Sequence, residues 1–241
     1  MAFLPVHLMT HNAVLRLRAE RLARATRPFL ARGNRVRRCQ GCLLPQKLCL
    51  CANITPHQAR SRFCLVMFDT EPMKPSNTGR LIADILPETL AFGWSRTEPD
   101  PALLEAVANT HYQPMVVFPE SYADQGRPVL NQPPVTGKPP LFIMLDGTWT
   151  EARKMFRKSP WLDGLPVMSL QLTAPSAYTL REAHGPGQHC TVEVAAALLR
   201  QAGDTAAGQA LSDHFMLFRQ RYLAGKPHHP AHLTAEEAES V

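Results

Sequence analysis

Four of the six cysteines fall within one run, CQGCLLPQKLCLC, as Cys39, Cys42, Cys49 and Cys51. A C-x-x-C pair and a C-x-C pair on either side of a turn with Pro45 can deliver four thiolates to one tetrahedral zinc ion. Two disulfides are the alternative, but they need an oxidising compartment. The opening MAFLPVHLMT has neither a charged n-region nor a small-residue cleavage site, so no secretory leader is expected and Met9 reads as well as Met1 as a start. Zinc in a cytoplasmic protein is therefore the expectation. With every ligand a cysteine, no coordination position stays open, and the predicted role is structural. Cys64 and Cys190 stand apart, Cys64 inside an apolar run that reads as core.

A second run, LFIMLDGTW, places Asp146 at the end of a buried strand. Gly147 suits a tight turn, and Thr148 with Glu151 three residues on forms a capping box. A carboxylate beside a helix N-terminus is stabilised in its charged form. It can accept a proton or bind an ammonium, and closing the turn is its structural alternative. Trp149 offers a flat ring that stacks on a base or adenine, or fills the core.

In a third run, FDTEPMKPSNTGR, the residues Ser76, Asn77 and Thr78 open a helix whose N–H groups and hydroxyls can hold a carboxylate or phosphate. Plain capping accounts for Ser76 or Thr78 equally well. Glu71, Lys74 and Arg80 add charges whose roles the spacing leaves open. The fourth run spans 172–194. It carries Ser176, Tyr178 and Arg181, then a loop with Gly185 and Gly187, then Thr191 and Glu193 at a helix start. A long glycine-bearing loop before a helix suits a ligand cradle.

The elements that must position these runs alternate. Strands are expected at 62–68, 115–118, 141–145 and 167–170, and helices at 12–31 (interrupted at Pro28), 76–86, 101–109, 148–159, 191–203 and 211–224. Apolar runs without alternation, separated by helices, predict a parallel sheet covered on both faces. Ligands in such sheets bind beyond the carboxyl ends of the strands, where all but the cysteine run fall. G-x-G-x-x-G after a first strand and G-x-x-x-x-G-K-[ST] are both missing, so neither a dinucleotide fold of that type nor a P-loop is supported. No apolar run is long enough to span a bilayer.

The net charge of +6 is uneven. Nine arginines lie between Arg16 and Arg38 against one acid, Glu20. Arginine forks match phosphate geometry, and such a cluster suits a polyanion such as RNA, a solvated helix face being the alternative. Arg24, Arg27, Arg35, Arg37 and Arg38, with Lys74 near the site, are the candidate RNA contacts.

Together these segments resemble the DTW-domain family, named for an Asp-x-Thr-Trp motif, here Asp146-Gly147-Thr148-Trp149. The C-x-x-C-x-x-P-x-x-x-C-x-C element, the E-P-x-K-P-S-N-T-G segment and the S-x-Y-x-L-R run containing Leu180 complete the ordered match over 37–225. The likeness is strongest to bacterial members that act as tRNA-uridine aminocarboxypropyltransferases. One departure is Asp69-Thr70 ahead of Glu71, where many members carry His-Pro.

The resemblance implies a SPOUT-like parallel α/β fold with a C-terminal knot. It also implies S-adenosylmethionine as donor of its 3-amino-3-carboxypropyl group to N3 of a variable-loop uridine in tRNA. Asp146, Thr148 and Trp149 would form the catalytic group, Asp146 as base. Ser76, Asn77, Thr78, Gly147, Ser176, Tyr178, Leu180, Arg181, Thr191 and Glu193 would hold the donor, with Arg181 or 76–78 on its carboxylate. The implied organisation is a basic arm (1–36), a zinc knuckle (37–60), a catalytic domain (61–225) and a tail (226–241). An RNA methyltransferase on the same scaffold and a non-catalytic zinc-knuckle RNA-binding protein are the competing readings.

Overall fold

The computed structural model describes residues 12–27, 29, 36–170 and 189–226. Six strands form one sheet in the order β2-β1-β5-β3-β6-β4. They are β1 (Arg62–Met67), β2 (Leu90–Gly93), β3 (Gln113–Val117), β4 (Val129–Leu130), β5 (Pro140–Asp146) and β6 (Val167–Met168). Every neighbouring pair is parallel, as the unbroken apolar runs require. Two strands lie outside the expected set. β2 follows directly on a Pro-bearing turn, and β4 is a two-residue edge strand within the turn-rich stretch; neither is long enough to declare a period.

The helices are α1 (Ala13–Ala23), α2 (Gly79–Ile85), α3 (Pro101–Ala108), α4 (Trp149–Arg157), α5 (Thr191–Gln201) and α6 (Thr205–Ala224). They cover both faces. Phe63, Leu65 and Met67 of β1 and Phe142 and Met144 of β5 pack in one apolar cluster with residues of α1, α2, α5 and α6. Their alternates Cys64, Val66, Leu141 and Ile143 pack in a second cluster with α3 and α4. Strand alternation therefore assigns each residue leaving a strand to one side or the other.

α1 ends at Ala23, well short of the expected 31, and packs on the sheet domain. Val14 and Leu17 join the apolar cluster, while Leu22 in the last turn is 38% exposed. Asn12 caps the helix by accepting from the Leu15 amide at 3.1 Å, and its amide group donates to the Arg80 carbonyl and to Asp84. The cysteine segment docks likewise. Leu44 and Leu50 are fully buried in the same cluster, and the Arg221 guanidinium of α6 donates to the Cys49 carbonyl.

The connection from β6 to α5, where a C-terminal knot would be threaded, runs through 171–188, outside the described residues. Among the described residues no helix is long and apolar enough to cross a membrane.

Candidate functional site

Asp146 is the last residue of β5, level with Met67 of β1. Alternation turns its side chain to the α2/α5 side, where it is 3% exposed. Two segments reach it there. Asn77 Nδ2 donates to Oδ2 at 2.6 Å, and Thr191 Oγ1 donates to Oδ1 at 2.6 Å. The N-terminus of α2 and the N-terminus of α5 thus meet on one carboxylate, beside the N-terminus of α4 that follows it in sequence. Partial positive charge from helix ends favours an anion at such a point.

Each contributing segment has a local reason for its shape. Asn77 is one of the three expected helix-opening residues. Its Oδ1 accepts from the Arg80 amide at 2.9 Å and so caps α2, while its amide nitrogen holds Asp146. Thr78, the formal cap residue, makes no side-chain capping bond; it hydrogen-bonds the Cys190 sulfur instead. Gly79 sets the approach. A Cβ there would lie 2.6 Å from Asp146 Oδ2, so only glycine lets α2 come this near. Ser76 is buried at the same corner.

On the far side, Cys190 caps α5, and Glu193 returns an oxygen to the Cys190 amide at 2.9 Å. One Glu193 oxygen therefore closes the first turn of its own helix. Burial pushes the Cys190 thiol well up, as suits a packed thiol. Cys64, pushed up to about 12 by burial, is core as expected.

Glu71, to which the spacing gives no role, belongs to the site. It is 2% exposed in the short helical turn Glu71–Met73, ion-paired with Lys74, and accepts from Asn77 Nδ2 at 3.3 Å. One amide thus bridges two buried carboxylates. The Lys74 ammonium thus joins two carboxylates held by one amide. Lys74 is therefore bound to the site network, and Arg80 just behind it is buried against Asp84 at 2.7 Å.

Thr148 caps α4 as expected: its Oγ1 accepts from the Glu151 amide, and Glu151 accepts from the Thr148 amide at 2.7 Å. Gly147 has an ordinary backbone angle; its smallness matters because a Cβ would meet Glu151 at 3.1 Å and Phe68 at 3.4 Å. Trp149 is half-buried, its ring 6.3 Å from Phe118 on the α3/α4 side, opposite the Asp146 carboxylate. Ser176, Tyr178, Leu180, Arg181 and Arg35 lie outside the described residues.

The four cysteines converge. Their sulfurs all lie within 4.8 Å of one another, with Cys39–Cys51 at 3.6 Å, Cys42–Cys49 at 3.7 Å and Cys49–Cys39 at 3.4 Å. A zinc ion with bonds of about 2.3 Å sets tetrahedral sulfurs about 3.8 Å apart, whereas a disulfide needs about 2.05 Å. The geometry fits a metal and not a bridge. So many thiols cannot ionise together without a cation. Hydrogen bonds from Cys42 and Cys51 pull Cys39 far down, while the bond to Cys39 pushes Cys42 up to about 11 and Cys51 higher still.

The arginines divide. Arg24, Arg27 and Arg37 are exposed, whereas Arg38 is half-buried and donates to the Leu43 carbonyl at 3.1 Å within the cysteine turn. Arg21 is held bidentately by Asp69, at 2.5 and 2.8 Å. Burial, then the charge of Arg80, lowers Arg18.

Comparison with known proteins places these features in company. The profile of the DTW domain matches residues 36–223. Proteins named tRNA-uridine aminocarboxypropyltransferase 2, from Mus musculus and Macaca fascicularis, are each 27% identical over 168 residues, covering 67% of this chain and 55% of theirs. The match thus spans about half the length of these curated relatives. No solved structure matches significantly.

Proposed function

Because the chain belongs to the DTW domain family, we propose that it is a tRNA-uridine aminocarboxypropyltransferase using S-adenosylmethionine. The observation that carries the reading is the Asp146 carboxylate gathered between Asn77 and Thr191 at the carboxyl edge of the sheet. The relatives' names supply the substrate class.

In this reading, N3 of an unpaired uridine forms a bond to the γ-carbon of the donor's amino-acid chain. The carbon–sulfur bond breaks, and methylthioadenosine leaves with the electron pair. The N3 proton goes to Asp146 by way of Thr191. The threonine hydroxyl already donates to Oδ1, is less buried than the carboxylate, and keeps lone pairs to accept from N3–H. Asn77 holds the other oxygen, so the carboxylate needs no reorganisation. Arg181 is assigned to the donor's carboxylate, and the remainder of 172–194 to its adenosine. Thr148 sets the start of α4, and Trp149 offers its ring to the RNA from the α3/α4 side. The fold would be SPOUT-like, with a knotted C-terminal part. Zinc held by Cys39, Cys42, Cys49 and Cys51 would supply stability only, clamping the knuckle to α6.

The test is incubation with S-adenosylmethionine and unmodified tRNA, followed by nucleoside mass spectrometry. An aminocarboxypropyl uridine is expected. A methylated nucleoside, or a wild-type enzyme that neither modifies tRNA nor is stabilised by the donor, would overturn the assignment.

A further inference from the structure

We propose that the face of α4 and the ring pair Phe68–Trp94 form a docking surface for unpaired nucleotides of the RNA substrate, an inference that rests on the tRNA reading above. Alternation sends the residue following each of β1 and β2 to the side opposite Asp146. Phe68 and Trp94 emerge there side by side, stacked with centroids 5.7 Å apart and planes inclined by 20°. The platform adjoins the site, since the Phe68 amide donates to the Asp146 carbonyl at 2.9 Å. It is also rigid. The Trp94 indole donates to Ser159 Oγ at 2.9 Å, and Ser159, just past the end of α4, is 2% exposed.

The cations lie on the same side. Arg153, Lys154, Arg157 and Lys158 recur at helical spacing on the face of α4 opposite its buried Ala152, Met155 and Phe156. Lys154 Nζ stands 5.9 Å above the Phe68 ring and 5.7 Å above Trp94. No carboxylate among the described residues pairs with any of the four. Basic residues in a last helical turn complement the helix dipole, which accounts for Lys154 and Arg157. It does not account for a whole unpaired stripe beside two partly exposed rings. Aromatic faces that stack bases and cations that meet the intervening phosphates are how proteins hold single-stranded nucleic acid.

The test uses the full chain. The variant K154Q/R157Q/K158Q changes only exposed side chains, and Trp94→Leu removes one ring. Binding of unmodified tRNA is measured against salt concentration, and donor binding by thermal shift. The triple variant should bind tRNA at least about tenfold more weakly, with a log–log salt slope shallower by about 0.7 for each phosphate that is no longer neutralised. Trp94→Leu should weaken tRNA binding with the slope unchanged, and both variants should keep donor binding. Unchanged affinity and slope in the triple variant would overturn the proposal, as would loss of tRNA and donor binding together. A wild-type enzyme that binds tRNA through this face yet forms no modified uridine would instead sink the transferase reading and leave the surface standing.

Discussion

Thr191 Oγ1 lies 2.6 Å from Oδ1 of Asp146, although 45 residues separate them in the chain. The chain leaves β6, two positions along the sheet from β5, and returns to place the first residue of α5 on the end of β5. A hydrogen bond to a charged partner contributes about 1.5–3 kcal/mol. If proton transfer runs through this hydroxyl, Thr191→Val lowers kcat by about ten- to a hundredfold, while Thr191→Ser retains most of it. Asp146→Ala abolishes transfer yet leaves donor-induced stabilisation. Single-turnover transfer on tRNA reads all three, and full activity in Thr191→Val would remove the relay.

Gly79 is the second point of control. A methyl group there would lie 2.6 Å from Asp146 Oδ2, with Asn77 Oδ1 at 3.5 Å. Gly79→Ala must push the carboxylate away or shift α2, at an overpacking cost of about 1–3 kcal/mol. Thermal unfolding and transfer rate should both fall. Alanine has the better helix propensity, so a stabilised variant with full activity would show that the close approach is unimportant.

The cysteine centre should carry one metal ion per chain, measurable by elemental analysis of the purified protein. Chelation or Cys42→Ser should lower Tm. At a minimum cost of about 2 kcal/mol, a chain of this size loses about 4–8 °C. Loss of metal with an unchanged Tm would deny it a structural role.

Behind the site, Asp84 accepts from Arg80 at 2.7 Å, from Asn12 at 2.7 Å and, across 3.1 Å, pairs with His214 of α6. Burial pushes its carboxyl up, but the Arg80 charge and the His214 and Asn12 donors outweigh this and hold it below its ordinary value. A lowered carboxyl contributes stability above about pH 4, the unfolded value, and loses it as pH falls through the folded one. Asp84→Asn leaves Arg80 buried without its counter-charge and should cost about 3–5 kcal/mol. Urea unfolding from pH 7 to pH 3 should show the wild-type advantage shrinking with acid; a difference constant with pH would refute the linkage.

Several features are legible along the chain because their causes are local. The C-x-x-C and C-x-C pairs bring four thiolates near one another through short turns, and the structure closes them within 4.8 Å. The capping box at Thr148 and Glu151 lies within one helical turn. The strand ending at Asp146 is a plain apolar run, and its end marks the carboxyl edge of the sheet where the site lies. Four ordered motifs are enough to indicate the family.

Other features need the third dimension. No spacing rule links Asn77 to Asp146, or Asp146 to Thr191, since strand order in the sheet decides which ends become neighbours. The need for glycine at 79 comes from a carboxylate 67 positions later, not from a turn. The roles of Glu71 and Arg80 stay open in the sequence because spacing says nothing of burial; packing against α6 and the end of β5 makes them interior. The basic stretch of arginines reads as a single face, yet Arg21 and Arg38 are taken up by folded partners and Arg18 is half-buried, while α4 carries exposed cations of its own. The residues alone determined which chemistry was possible and which segments formed regular structure, because those depend on near neighbours. Which segments meet at one carboxylate depended on contacts between distant parts of the chain, and only the assembled sheet decides those.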